Sequence, residues 1–142
     1  MTLPSTLKQL GWQTFKGCKN LKRVQIPQRL EYVGTECFSE SGLEGASFPA
    51  TLKTLEYRAF AWCEDLRKIE LQRGLKYIET ECFYGSGLRE ITLPATLQWL
   101  RGRSFYNCGK LETVYVEEGC AVDVAKYVRP SVGIIRVPRT GE

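Results

Sequence analysis

The nine residues 35-TECFSESGL-43 return as 80-TECFYGSGL-88, 45 positions later, and 49-PATLKTL-55 returns as 94-PATLQWL-100. The same offset relates Arg58 to Arg103, Phe60 to Phe105, Cys63 to Cys108 and Leu66 to Leu111. A shorter period lies inside that unit. The fragments 21-LKRVQI-26, 43-LEGASF-48, 66-LRKIEL-71, 88-LREITL-93 and 111-LETVYV-116 all read L-x-x-φ-x-φ, with φ apolar, so the spacing alternates between 22 and 23 residues. A unit this short, with one alternating apolar stretch, cannot bury its apolar side alone. Only the stacking of successive units closes a core.

Three apolar columns follow the period. Leu7, Leu30, Leu52, Leu75 and Leu97 form one, Leu10, Val33, Leu55, Ile78 and Leu100 a second, and Phe15, Phe38, Phe60, Phe83 and Phe105 a third. Stacked at the spacing of neighbouring strands, five coils make an arc on the order of 25 Å tall. The expected fold is a repeat solenoid of the leucine-rich repeat kind, with short strands in a parallel sheet plus turns or short helical segments. Residues 2–116 are read as five repeats and 117–142 as a C-terminal cap, within one domain spanning 1–142.

The pattern L-P-x-T-L-x-x-L-x-x-x-x-F-x-x-C-x-x-L-x-x-φ stands as 3-LPSTLKQLGWQTFKGCKNLKRV-24 and again as 93-LPATLQWLRGRSFYNCGKLETV-114. Over residues 2–116 it resembles the leucine-rich repeats of BspA-like bacterial surface antigens and related protist families. The resemblance implies cell-surface exposure, adhesion and contact with host or matrix proteins. Two departures stand out. The Asn that ladders ordinary leucine-rich repeats has no position here. Cys37 and Cys82 replace the family's usual Ala, and Ser41-Gly42 and Ser86-Gly87 replace the C-x-x before the next Leu.

The six cysteines follow the repeat rather than a metal-binding or disulfide pattern, and the chain has no His. Cys18, Cys63 and Cys108 share one column two coils apart, roughly 10 Å by strand spacing, which is too far for a disulfide. Cys37 and Cys82 share a second column, and Cys120 continues the Leu7–Leu97 column. All six are expected to be small buried thiols acting as apolar filler.

The ends differ. Three positions after Cys120, on the Leu10–Leu100 column, stands Asp123, which ends the repeat and is expected to N-cap a short helical turn in 124-VAKYV-128. Tyr127 and Val128 then fall where the Ala/Cys and Phe columns would continue, Arg129-Pro130 stops the turn, and 132-VGIIRV-137 reads as a last strand. At the other end 2-TLP-4 reads as the tail of a strand without a polar cap. That suggests a piece of a longer repeat protein, or a homodimer through the N-terminal edge. The Met1-Thr-Leu-Pro start lacks the regions of a signal peptide, and no apolar run is long enough to cross a membrane. Unbridged thiols suit a reducing cytoplasm and the resemblance suits a cell surface, so localisation stays open.

Function is sought on what the columns leave outside. The expected concave face carries Arg23 and Gln25, Lys68 and Glu70, Glu90 and Thr92, Thr113 and Tyr115 as candidate protein-binding residues, with Lys22, Glu44, Gly45, Ser47, Arg67, Arg89 and Glu112 beside them. A candidate aromatic patch combines Tyr32, Tyr77 and Trp99 in one column with Trp62, Tyr84 and Tyr106 in another. Such rings are enriched at interface centres and are equally common as surface cover.

No His, nucleophile elbow or phosphate-cradling loop supports catalysis, and no cofactor or metal site is expected. The 20 basic residues are interleaved with 16 acidic ones, so a net charge of +4 gives no single-sign stripe for nucleic acid. Arg58, Arg101 and Arg103 make the densest basic spot. The reading is a protein-recognition or adhesion module, and its alternative a structural spacer or assembly segment contacting through the N-terminal edge.

Overall fold

The computed structural model describes residues 2–139, and its strands all pair in parallel. Each coil contributes a strand from the L-x-x-φ-x-φ fragment, then a two-residue strand, then a turn segment. The two-residue strands β1 (Gln9–Leu10), β2 (Tyr32–Val33), β4 (Thr54–Leu55), β6 (Tyr77–Ile78) and β8 (Trp99–Leu100) form one five-stranded sheet in that order. The longer strands are β3 (Gly45–Ser47), β5 (Lys68–Glu70), β7 (Glu90–Leu93), β9 (Thr113–Glu117) and β10 (Gly133–Val137). They pair as β3 with β5 and as β7-β9-β10, and a bridge from Thr2 to Gln25 extends the row at its start.

Alternation decides which side chains point in. Ile69, Ile91, Leu93, Val114 and Val116 are buried, and the residues between them face out. The apolar columns stack as the period demands. Phe15, Phe38, Phe60, Phe83 and Phe105 form a continuous pile with neighbouring ring centroids 5.2, 5.4, 5.4 and 5.6 Å apart. In the coil of β3 the inward pair is Ala46 and Phe48 rather than two aliphatics. Phe48 fills the space that Ala46 leaves by meeting Phe60 edge-on at 5.9 Å.

The turn segment explains why the laddered Asn is dispensable. Each coil places two residues in the left-handed region, one in the column Gln13, Glu36, Arg58, Glu81, Arg103 and one in the column Gly17, Glu40, Trp62, Gly85, Asn107, with φ between 53° and 74°. For a non-glycine residue this costs about 1–2 kcal/mol. The return is direct hydrogen bonding between coils. At each of four junctions three alternate N–H groups donate to carbonyls of the next coil, as Glu36, Phe38 and Glu40 do to Tyr57, Ala59 and Ala61. The Ser-Gly pairs fit the same close approach. A Cβ on Gly42 or Gly87 would lie 2.0 or 2.1 Å from the carbonyl oxygen of Lys19 or Glu64, so only glycine lets these backbones meet.

The cysteine expectation needs one correction. Cys37, Cys63, Cys82, Cys108 and Cys120 are buried, whereas Cys18 is exposed. The Cys63 thiol donates to the Phe38 carbonyl at 3.0 Å and lies 3.7 Å from Ser41 Oγ, and Cys108 repeats this with Phe83 and Ser86. Each partner belongs to the preceding coil, and Cys18 sits in the first of the described coils.

A second correction concerns Asp123. Residues Val124–Lys126 form a single 3₁₀ turn, but the Asp123 side chain makes no capping bond. The backbone supplies the closure instead, since Lys126 N–H donates to the Asp123 carbonyl and Tyr127 N–H to that of Val124. Tyr127 and Val128 pack half-buried against the core, and β10 follows beside β9. Arg129 does more than end the turn. Its guanidinium donates to the carbonyls of Cys108 at 2.7 Å, Leu111 at 2.6 Å and Gly109 at 3.4 Å, and so replaces at Cys108 the donor that Gly42 and Gly87 supply to Cys18 and Cys63. Five repeats over 2–116 followed by a cap over 117–142 is the division we propose, with residues 140–142 outside the described ones.

Candidate protein-interaction surfaces

On the long-strand face, outward positions make two rows. Arg23, Gly45, Lys68, Glu90 and Thr113 form one, and Gln25, Ser47, Glu70, Thr92 and Tyr115 the other. Arg23, Gln25, Lys68, Glu70 and Glu90 are exposed, while Thr92, Thr113 and Tyr115 are half-buried. Gly45, Ala46 and Ser47 carry the smallest side chains of the sheet. The surface dips there into a groove of about 570 Å³ with Arg23, Gln25 and Glu44 on one side and Lys68 and Glu70 on the other. Lys68 and Glu70 pair across their strand at 3.6 Å. A second depression of about 260 Å³ runs past Lys68, Glu70, Glu90 and Thr92. Thr113 and Tyr115 line neither, because β10 lies alongside them in register with Gly133 and Ile135.

The six aromatic candidates do not form one patch. Tyr32, Tyr77 and Trp99 sit on the short-strand sheet, where Tyr77 stacks on Trp99 at 4.1 Å. Trp99 is fixed further by an indole bond to Glu79 at 3.0 Å and by the Arg101 guanidinium 4.6 Å above its ring. Desolvation, then the nearby Glu56 carboxylate, raises the Tyr32 hydroxyl above its ordinary pKa. Trp62, Tyr84 and Tyr106 form a separate pile on the turn segments, with centroids 5.1 and 5.4 Å apart. Two exposed rings escaped the sequence reading. Trp12 and Tyr57 precede the first left-handed position of their coils and point out at 70% and 37% exposure, with Arg58 5.1 Å over the Tyr57 ring. Their shared position in the period was the signal available.

The basic spot is largely neutralised. Glu81 accepts from Arg58 at 2.7 Å and from Arg103 at 3.4 Å, and Glu79 lies 3.6 Å from Arg101. The left-handed column therefore alternates in charge: Glu36, Arg58, Glu81, Arg103. Glu36 accepts from Gln13 and Lys16, both at 2.9 Å, and these bonds hold its carboxyl below the usual range.

The thiols are chemically quiet. Burial pushes Cys37 up to about 12 and Cys63 up to about 11, and it raises Cys82 and Cys108 as well, so all four stay protonated at neutral pH. Among the described residues no group of three His, Cys, Asp or Glu is placed to hold a metal ion, and no helix is long and apolar enough to cross a membrane.

Parallel short strands, stacked Phe and Leu columns and coil-to-coil bonded turns define a leucine-rich repeat solenoid. The sequence profile of the BspA type leucine rich repeat region matches residues 1–120 in six copies, and the chain belongs to that family. No curated protein matches the sequence. Among solved structures it is similar to the T. pallidum leucine rich repeat protein, with TM-score 0.77 and 22% identity over 97% of this chain and 69% of that one. A leucine rich cell surface protein from Faecalibacterium prausnitzii gives TM-score 0.62 and 22% identity over 81% of this chain and 38% of that one. A leucine-rich repeat protein from Bacteroides ovatus gives 0.52 and 19% over 95% and 56%. At these identities the likeness concerns the fold. Domains of this type are in general protein-interaction modules and typically non-enzymatic.

Proposed function

We propose that the chain is a non-enzymatic protein-recognition or adhesion module that reads its partner on the long-strand face. The observation that carries this is the groove over Gly45–Ser47, where the smallest side chains of the sheet lie between Arg23, Glu44, Lys68 and Glu70. An extended or loop segment fits such a dip, and charges of both signs on its rim select a complementary partner. The backbone beneath is fixed by the coil-to-coil bonds, so binding spends little ordering entropy.

The test is a displayed peptide library selected on the whole chain, with the binders re-measured on the triple variant Arg23→Ala, Lys68→Ala, Glu90→Ala. The expected result is loss of binding with an unchanged melting temperature. Binders that hold the variant as tightly as the wild type would remove the long-strand face from the reading.

The spacer or assembly alternative draws on the first coil, where Leu3, Leu7 and Leu21 are only half-buried. A contact there between two copies is disfavoured by charge, because residues 2–30 carry six Lys and Arg and no Asp or Glu.

A further inference from the structure

The coil-to-coil ladder stops at the last turn segment, and what it leaves there has the form of a binding site. In the preceding coil the N–H groups of Glu81, Phe83 and Gly85 donate to the carbonyls of Gly102, Ser104 and Tyr106. The equivalent donors one coil on are Arg103, Phe105 and Asn107. Among the described residues none of these three N–H groups has an acceptor. Phe105 is 4% exposed, so its ring is sealed into the pile while its amide stands at the end of the ladder without a protein acceptor.

These donors border a depression of about 510 Å³ between the last turn segment and the 3₁₀ turn that follows it. That volume is in the range of ligand pockets. It exists because the cap continues the long-strand sheet with β10 but puts only Tyr127 and Val128 where a full coil would stack. The walls are the rings of Tyr106 and Tyr127, and Phe105 is the last ring of its pile. The lining includes Arg103, Lys126 and Arg129 and no carboxylate. Arg129 is committed to the carbonyls of its neighbours and contributes charge alone. Arg103 lies 3.4 Å from Glu81 but keeps 68% of its side chain exposed, and Lys126 is exposed.

The geometry points to a second binding site here, for an acidic peptide segment that extends the ladder by one rung. Carbonyls of three alternate residues take the N–H groups of Arg103, Phe105 and Asn107, and carboxylates of the same segment meet Arg103 and Lys126. Three alternate donors in a row call for three alternate carbonyls, which a peptide backbone supplies and a single small anion, able to reach one or two of them, does not. A second copy of this chain offers the right carbonyls, since those of Trp12, Thr14 and Lys16 have no donor among the described residues. Its charge is wrong. The basic run over 2–30 would face Arg103, Lys126 and Arg129, and an acidic segment removes that repulsion. This site is separate from the groove over Gly45–Ser47 and stands or falls without it.

The experiment is an amide NMR titration of the whole chain with the capped peptide Glu-Val-Glu-Val-Glu, the same peptide with Gln for Glu, and acetate. Saturable shifts at Arg103, Phe105 and Asn107 with the acidic peptide, reduced in higher salt, are expected. The double variant Arg103→Gln, Lys126→Gln, whose spectrum elsewhere reports intact folding, should weaken binding by roughly 2- to 30-fold. Equal binding of the Gln peptide, equal shifts with acetate, no movement of the three amides, or a concentration-dependent dimer that perturbs them without peptide would each overturn the assignment.

Discussion

Replacing Phe60 by Ala probes the central element of the fold. Phe60 is fully buried, with its ring 5.4 Å from Phe38, 5.4 Å from Phe83 and 5.9 Å from Phe48. Burial of a Phe alone sets a loss of about 3–5 kcal/mol. Three ring pairs, each worth about 0.5–1.5 kcal/mol beyond area, place Phe60 at the upper end of that range. The gap cannot collapse freely, because the backbones of Phe38 and Phe83 are each bonded to the following coil, at Ala59 and Ser104. Phe15 is the comparison within the same column. It is 7% exposed and has one ring neighbour, Phe38, at 5.2 Å, so Phe15→Ala should cost about 1–2 kcal/mol less. Urea unfolding followed by circular dichroism measures both. Against a total stability of roughly 5–15 kcal/mol, Phe60→Ala removes a third or more. Its m-value should also fall as the coils on either side begin to melt apart, because each coil is held only by its neighbours. Equal losses for Phe15→Ala and Phe60→Ala would refute the claim that the pile acts as a stack of nearest-neighbour contacts.

Thiol labelling of the native chain with an aromatic disulfide reagent should modify Cys18 quickly and the five buried cysteines only on unfolding, and a second fast thiol would contradict the packing. Alkali should destabilise the fold. The raised Cys37, Cys63, Cys82 and Cys108 keep their protons in the folded state while the unfolded chain loses them above about pH 8.5, so stability is full below that pH and declines toward pH 11 to 12. Melting temperatures across pH 7–10 read this out, and Cys82→Ala should flatten the slope. Arg129→Ala should cost about 1–3 kcal/mol by removing the charged hydrogen bonds to the carbonyls of Cys108 and Leu111, and Arg129→Lys should not restore it because an ammonium lacks the planar fork.

The columns were legible because they are written in residue type. Leu, Phe and the L-x-x-φ-x-φ fragments recur at one period, and period alone sets which side chains meet. The last strand was legible for a different reason, the β-branched run 132-VGIIRV-137, since its pairing of Gly133 with Thr113 falls off the period. What the period could not convey is anything set by the neighbouring coil. Cys18 has the spacing of Cys63 and Cys108, but among the described residues no coil lies before it to bury it. The pairing of Arg58 and Arg103 with Glu81 joins residues 22 or 23 apart in sequence, and it reads as a basic spot only while the coils are taken singly. The left-handed turns leave no compositional mark, since Gln, Glu, Arg, Trp and Asn all occupy them. On the outer faces, sequence supplied the outward positions, and the groove over Gly45–Ser47 emerged only when three small residues were set beside longer ones.

The alternating column of left-handed residues has a consequence for how such a chain avoids misassembly. Phe15, Phe38, Phe60, Phe83 and Phe105 are chemically identical, so the apolar pile cannot tell one coil from the next. If a coil is looped out, the pile can close again over the error. The charged column would not close: Glu36 would land beside Glu81, or Arg58 beside Arg103, and like charges in adjacent rungs repel. Looping out two coils sets Glu36 beside Arg103 and restores attraction. Among its four charged members the column therefore checks parity, disfavouring the loss of one inner coil and passing the loss of two, a block of 45 residues.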